Sequence, residues 1–151
     1  MEATFTAYLE EVRAHRGDML ESVRALEETL AAPIALGRDW LERVAAALAE
    51  LAHDFGDHVE LTERPGGLYA VARASAPRLD AAGQRLVREH VDLRARLAAA
   101  LGEIDSADER GLDLGALRED LTGLIGALVR HRQRGSDLVY EAFEVDLGGS
   151  D

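Results

Sequence analysis

The chain contains 151 residues with a formal net charge of −12 and no cysteine, and this length suffices for one domain with a buried core. The excess of acidic over basic residues disfavours nucleic acid and anionic membranes as partners, and the lack of cysteine excludes disulfides and thiolate metal sites. No apolar segment reaches the roughly 20 residues of a membrane span and the N-terminus lacks the apolar region of a signal peptide, so we expect a cytoplasmic protein.

Helices are predicted throughout, because Ala, Leu, Glu and Arg are frequent while aromatic and β-branched residues are scarce. The first predicted helix covers about residues 4–31. The second covers residues 39–63, with Asp39 and Glu42 as a capping pair at its start. Pro65, followed by two glycines, interrupts the helical hydrogen bonds and ends it.

The second half of the chain is predicted to contain two more helices. Residues 68–76 form a short connecting segment, and Gly102 is the expected residue just beyond the third helix. Asp113 is expected to cap the fourth helix, after a polar loop. The third helix, the fourth helix and the C-terminal tail are predicted at residues 78–101, 113–144 and 145–151. All four helices are assigned to a single domain over residues 1–151.

Apolar residues recur at alternating steps of three and four along each predicted helix, which is the spacing of a helix that buries one face in a bundle. The seam positions of the second and fourth helices are Leu41, Val44, Leu48, Leu51, Phe55, His58 and Thr62, and Leu117, Leu121, Leu124, Leu128, His131, Gly135 and Leu138. Four helices with short connections predict an all-α fold, an antiparallel up-down-up-down four-helix bundle.

One histidine interrupts each apolar seam. These residues are His15, His58, His90 and His131. With a rise of about 1.5 Å per residue, they can lie at one level of the bundle. Several imidazoles in an apolar core are costly unless they are paired, so a shared metal ion is the favoured interpretation. A hydrogen-bonded cluster around water, or helices in a different register, remain alternatives. The fifth histidine, His53, falls on the opposite helix face, where we expect it to be exposed.

Stretches around these histidines resemble the hemerythrin-like (HHE cation-binding) family of four-helix bundles. In chain order they are "VRAHRGDMLESVRALEETL", "FGDHVELTERPGGLYAVARASAPRL", "LVREHVDLRARL" and "LIGALVRHRQRGSDLVYEAF". The resemblance implies a non-heme di-iron centre with histidines from all four helices, and with carboxylates four residues after a histidine on the second and fourth helices. It further implies dioxygen carriage or sensing, iron storage or sensing, or a response to oxidative stress.

The carboxylate positions of that pattern are occupied by Thr62 and Gly135, and Arg94 stands where helix three could offer a second histidine. Glu63 is the best replacement, because the chain can unwind beside it and turn its side chain inward. The remaining nearby acids are predicted on solvated helix faces: Glu60, Glu89, Asp137 and Glu141. The predicted metal-binding set is therefore His15, His58, His90, His131 and Glu63.

A site dominated by imidazole suits zinc, copper, nickel or a single iron, and without bridging carboxylates two ferrous ions would leave costly excess charge in the core. We therefore expect non-heme iron or zinc, or an empty site. The predicted partners are the metal ion and dioxygen or another small diatomic ligand, in binding or sensing. The alternative is a metal-free bundle that acts as a structural or protein-interaction module. An enzyme is less expected, because no general acid or base is in position.

Two further features have structural interpretations. Tyr8 lies about 10 Å along the helix axis from His15, too far to bind the same metal, and is predicted as a core residue with a hydrogen-bonded hydroxyl. The basic run "RHRQR" at residues 130–134 is predicted to pair with carboxylates of the same bundle.

Overall fold

A computed structural model describes residues 2–107 and 111–144, and all of their regular structure is helical. The predicted all-α class is thereby confirmed for these ranges. The helices are α1 Glu2–Ala31, α2 Arg38–Glu63, α3 Leu68–Ser75, α4 Asp80–Ser106 and α5 Leu114–Phe143, with 3₁₀ turns at Ile34–Leu36 and Pro77–Leu79. The predicted tail at residues 145–151 lies outside the described residues.

The end of the third long helix was predicted too early. Gly102 does not stop α4, which continues to Ser106. Gly102 has no positive φ angle, so nothing in its backbone ends the helix. Ile104 is buried in the main core, and this packing favours one further helical turn. The loop before α5 is correspondingly shorter than predicted.

One of the two predicted helix caps is confirmed. Asp113 caps α5, because its Oδ1 accepts a hydrogen bond from the Ala116 amide at 3.0 Å. The capping pair predicted at the start of α2 is wrong, since Gly37 is the residue before that helix and no side chain caps it. Gly37 has a φ angle of 61°, which glycine adopts without steric cost. Asp39 instead lies in the first turn, where its charge favours the helix dipole.

The connecting segment at residues 68–76 is itself mostly helical and forms α3. Its side chains Leu68 and Ala72 are buried, and the helix contacts α2, α4 and α5. The segment therefore closes one end of the bundle beside His58 and His90, and it contributes a side chain to the histidine group.

The four long helices pack in a ring, with α1 and α4 each contacting both α2 and α5. The predicted seam residues of α2 form the centre of the core. Of these, Val44, Leu48, Leu51 and Phe55 have no exposed surface. The seam spacing therefore identified the buried faces correctly. Among the described residues, none of the helices is long and apolar enough to cross a membrane.

Tyr8 ties α1 to the junction between α2 and α3. Its hydroxyl donates to the Leu61 carbonyl oxygen at 2.5 Å and accepts from the Leu68 amide at 2.9 Å. The prediction that the Tyr8 hydroxyl is hydrogen-bonded is confirmed. Burial raises the pKa of Tyr8, so the hydroxyl stays protonated and keeps its role as donor.

We expect Tyr8→Phe to lower the free energy of unfolding by about 1–3 kcal/mol, because the buried Leu68 amide and Leu61 carbonyl lose their partner. Urea denaturation followed by circular dichroism measures this change. Tyr140→Phe is the matched control, since Tyr140 is 60% exposed, and its effect should stay within about 0.5 kcal/mol. Equal effects of the two substitutions would contradict this role of Tyr8.

Candidate metal centre

Histidines from three helices form a tight group in the interior of the bundle. The ring centroids of His90 and His131 are 4.7 Å apart, those of His58 and His90 5.0 Å, and those of His58 and His131 5.4 Å. Phe55 packs against all three rings at 5.6 to 5.9 Å. The spacing of the seams thus places imidazoles from α2, α4 and α5 at one level.

His15 lies beside this group but outside its closest contacts. Its ring stacks on that of His58 with the centroids 6.1 Å apart and the planes at 19°. Its Nε2 atom is buried and makes no hydrogen bond to any described residue. The structure therefore brings the four predicted histidines together, but as a close set of three with a fourth alongside.

The three close imidazoles can offer nitrogens to one metal ion. One nitrogen from each of His58, His90 and His131 lies within 4.8 Å of the other two. The Nε2 atoms of His58 and His131 are 3.3 Å apart. Tetrahedral zinc with bonds of about 2.0–2.1 Å needs ligand nitrogens about 3.3–3.4 Å apart, so this pair already has the required separation.

Glutamates contact the Nδ1 atoms of two of the three rings. Glu63 Oε2 lies 2.5 Å from His90 Nδ1, and Glu89 Oε1 lies 2.7 Å from His131 Nδ1. A carboxylate only accepts hydrogen bonds, so each Nδ1 carries the proton and each Nε2 keeps its lone pair for the interior. This arrangement of carboxylate and imidazole is the one that orients histidine ligands in metal sites. Glu63, which was itself predicted to bind the metal, thus contacts the Nδ1 atom of the predicted ligand His90.

The prediction that Glu89 lies on a solvated face is wrong. Its side chain is only 17% exposed, because it points from α4 toward α5 and not toward solvent. There it also pairs with Arg134 Nε at 2.8 Å and with Arg85 Nε at 3.6 Å. Arg134 belongs to the basic run at residues 130–134, so its predicted pairing within the bundle is confirmed. The other acids predicted to be solvated are exposed: Glu60, Asp137 and Glu141.

Tyr69 is a member of the group that the sequence did not reveal. Its hydroxyl lies 3.3 Å from His90 Nε2, and its ring stacks on His90 with the centroids 5.7 Å apart. Burial raises the pKa of Tyr69 well above its usual value, so the protonated hydroxyl donates to that nitrogen. The sequence feature that could have indicated Tyr69 is its position as an aromatic residue in a helix-forming stretch between Gly67 and Pro77.

Electrostatics keep the buried rings uncharged. Burial lowers the pKa of His58, and the neighbouring His90 and His131 lower it further. For His90, burial outweighs the opposing hydrogen bond to Glu63 and lowers the pKa to about 4. Burial likewise outweighs Glu89 and lowers the pKa of His131. The lone pairs needed for metal binding are therefore free of protons at neutral pH.

For Glu89, hydrogen bonding and a neighbouring charge outweigh the effect of burial on the pKa. Burial alone would raise its pKa, but the hydrogen bond with His131 and the charge of Arg134 outweigh that effect, and the pKa is lowered. An ionised carboxylate beside a neutral imidazole therefore persists over the neutral range.

The positions that lack carboxylates offer no replacement ligand. Thr62 is buried, and its hydroxyl donates to the His58 carbonyl oxygen at 2.8 Å, so it is engaged by its own helix. At Gly135, an added Cβ would meet no heavy atom within 4 Å. Gly135 therefore leaves space beside the histidines, whereas the Thr62 side chain is held by its own helix.

A second group of potential ligands lies on the surface, where His53, Asp54 and Asp57 come together. The side chain of His53 is 70% exposed, which confirms its predicted exposure, and that of Asp57 is 54% exposed. Asp54 accepts a hydrogen bond from the Ser22 hydroxyl. Exposed groups of this kind are commonly solvated, and nothing here orients them toward one ion.

The metal-free protein should lose stability as the pH falls from about 6.5 to about 4. The folded-state pKa of His90 lies below its unfolded value, so the unfolded chain binds more protons in this window. Protonation therefore favours unfolding, and the stability from His90 is fully present only above about pH 6.5. Urea unfolding at intervals of half a pH unit measures the slope. His53→Asn should leave it unchanged, and a flat profile between pH 7 and pH 5 would contradict the buried, uncharged histidines.

In comparisons with known proteins, no family model, no curated protein and no solved structure matches this chain. The resemblance to the hemerythrin-like family therefore stays a prediction that rests on the motifs of the sequence. Within the described residues, the finding is an all-helical fold that contains a group of three histidines able to hold a metal ion.

Proposed function

We propose that this protein binds one metal ion through the Nε2 atoms of His58, His90 and His131, and that it serves in metal binding or metal-dependent sensing. The observation that carries this proposal is the pair of carboxylate–imidazole contacts, Glu63 to His90 and Glu89 to His131. Each fixes the tautomer that leaves an Nε2 lone pair inside the bundle. With the donors held by carboxylates, the two remaining lone pairs belong to Nε2 atoms of the same close group.

The proposed architecture is an antiparallel up-down-up-down four-helix bundle of the hemerythrin-like kind. It is supported by contacts around the ring, which join α1 to α2, α2 to α4, α4 to α5 and α5 to α1. The short α3 then lies between the second and third long helices. In such bundles, metal sites are built from side chains on facing helices, as the histidines are here.

The proposed metal is zinc or a single non-heme iron. Three imidazoles and an open position are a recurrent zinc environment, while the lack of carboxylates at positions 62 and 135 argues against a pair of iron ions. An iron form would offer its open position to dioxygen or another small diatomic ligand.

Sensing or storage is favoured over catalysis because the acid–base groups of the site are already engaged. Glu63 and Glu89 accept hydrogen bonds from the histidines, and the Tyr69 hydroxyl faces His90. None of the three stands free to transfer a proton to a substrate.

One observation favours a metal-free interaction module as the second candidate. Because His131 Nδ1 carries the proton, His58 Nε2 can donate to His131 Nε2 across their 3.3 Å separation. The Tyr69 hydroxyl similarly donates a hydrogen bond to His90 Nε2. The cluster is therefore hydrogen-bonded from within, which a permanent metal-free core also requires.

Elemental analysis of untagged protein, after growth with added iron and zinc, separates these two candidates. We expect about one metal ion per chain, and His131→Leu should abolish binding because one of three ligands is lost. His53→Leu should retain the metal. A wild-type content below about a tenth of an equivalent, together with greater stability of His131→Leu, would favour the metal-free module.

Glu89→Ala should weaken zinc binding by about 10-fold to 100-fold, because His131 loses the partner that fixes its ring. Competition against a chelating dye measures the dissociation constant. Glu60→Ala is the matched control, since that side chain is 74% exposed and pairs with Arg64. Equal affinities of the Glu89 variant and the wild type would show that the carboxylate does not support a metal ligand.

A further inference from the structure

A groove lies on the surface between α4 and α5, and its wall is built from residues 81–88 of the first helix and residues 134–141 of the second. We refer to it as the α4–α5 groove. Its volume of about 460 Å³ is within the range of sites that hold small organic ligands. None of the histidines of the metal centre lines it. The α4–α5 groove is therefore a candidate binding site that is separate from the histidine group.

Three guanidinium groups lie on the wall of this groove, those of Arg85, Arg88 and Arg134. Arg85 and Arg134 contact Glu89 through Nε, at 3.6 and 2.8 Å, so four terminal N–H donors remain on each of them. Arg88 is exposed and makes no ion pair with any residue that the structure describes. The groove thus brings together guanidinium donors that the ion pairs of the described residues leave available for a ligand.

Two carboxylates on the same wall have partners outside the groove. Asp137 accepts a hydrogen bond from Gln133 at 3.0 Å, and Glu141 pairs with Arg78 at 3.5 Å. In the described part of the chain, neither carboxylate forms an ion pair with the three arginines of the groove. Because a carboxylate only accepts hydrogen bonds, a ligand that lies beside these two residues is expected to carry donors such as hydroxyl groups.

The three arginines favour a phosphate group over a carboxylate. A phosphate monoester has three strong acceptor oxygens, and arginine forms paired hydrogen bonds with such a group. A carboxylate has two oxygens, which a single guanidinium can already satisfy. The net charge of −12 opposes a polyanion along its whole length, whereas salt screens the repulsion on one small group held at short range. The remaining wall is apolar and suits the organic part of a small molecule, with Ala81, Ala82 and Leu138.

We propose that the α4–α5 groove binds a small phosphate monoester whose organic part carries hydroxyl groups. Arg85, Arg88 and Arg134 donate hydrogen bonds to the phosphate. Asp137 and Glu141 accept hydrogen bonds from the hydroxyl groups, and the apolar side chains of the wall pack against the carbon skeleton. The inference goes beyond the proposed metal site and does not depend on it, because no histidine belongs to the groove wall.

Isothermal titration calorimetry of the full-length, untagged protein without added metal tests this inference, with glucose 6-phosphate as the probe. Glucose and inorganic phosphate are the comparison probes, since each lacks one half of the proposed ligand. We expect glucose 6-phosphate to bind saturably at one site per chain. It should bind at least about tenfold more tightly than either comparison probe, because it alone reaches both the arginines and the carboxylates of the groove.

Arg88→Gln should weaken the binding of glucose 6-phosphate by at least about tenfold, because the phosphate loses a charged donor. Arg85→Gln should weaken it in the same direction. Arg94→Gln is the matched control, since Arg94 is an exposed arginine of the same helix that does not line the groove. The control removes the same charge and should leave the dissociation constant within about twofold of the wild type. Circular dichroism verifies that each variant is folded.

Three results would overturn the proposal. The first is the absence of saturable binding of glucose 6-phosphate at millimolar concentration. The second is equal weakening by Arg88→Gln and Arg94→Gln, because the net charge and not the groove would then control binding. The third is inorganic phosphate that binds as tightly as glucose 6-phosphate, which would exclude an organic ligand. The titrations contain no added metal, so failure of the metal site would leave their outcome unaffected.

Discussion

The burial of several uncharged imidazoles at one level of the bundle is the constraint on which the candidate site depends. His90 and His131 are each 1% exposed, and burial is the largest cause of the lowered pKa of both residues. Neutral rings in that position still carry a donor and an acceptor that need partners. Glu63 and Glu89 accept from the Nδ1 donors of His90 and His131. The Nε2 acceptors of these two rings then face the interior of the histidine group. In the metal-free protein the Tyr69 hydroxyl and His58 Nε2 can donate to those acceptors, and a bound cation would take the place of these hydrogen bonds.

The two carboxylates of the site contact the Nδ1 atoms of His90 and His131 and leave the Nε2 atoms to the interior. Thr62 and Gly135 cannot reach an ion, whereas Glu63 and Glu89 hold His90 and His131 by their Nδ1 atoms. This arrangement determines the charge that a metal site here would have, because a site with neutral ligands retains the full charge of its ion. A single divalent ion is therefore easier to accommodate than two.

The sequence predicted the buried faces better than the ends of the helices or the partners of the histidines. The alternating steps of three and four placed Phe55, His58 and His131 correctly, because a long amphipathic helix admits only one core-facing stripe. The length of α4 was missed, since Gly102 is tolerated in a helix whose next turn packs against the core. The inward direction of Glu89 does not follow from its seam spacing, because a residue about 100° from the seam is expected to face solvent. In a ring of four helices that direction faces the neighbouring helix, and the pairing of Glu89 with Arg134 depends on an α4–α5 contact that no single-helix pattern contains.

X-ray absorption spectroscopy of the zinc-loaded, untagged protein tests the central claim most directly, because it counts the imidazoles bound to the ion. We expect three imidazole nitrogens at about 2.0–2.1 Å and one further light atom. It also predicts that His53→Asn leaves the spectrum unchanged, since that histidine belongs to the surface group. A zinc ion surrounded by oxygen with one imidazole or none, or a spectrum that changes with His53 and not with His131, would contradict it.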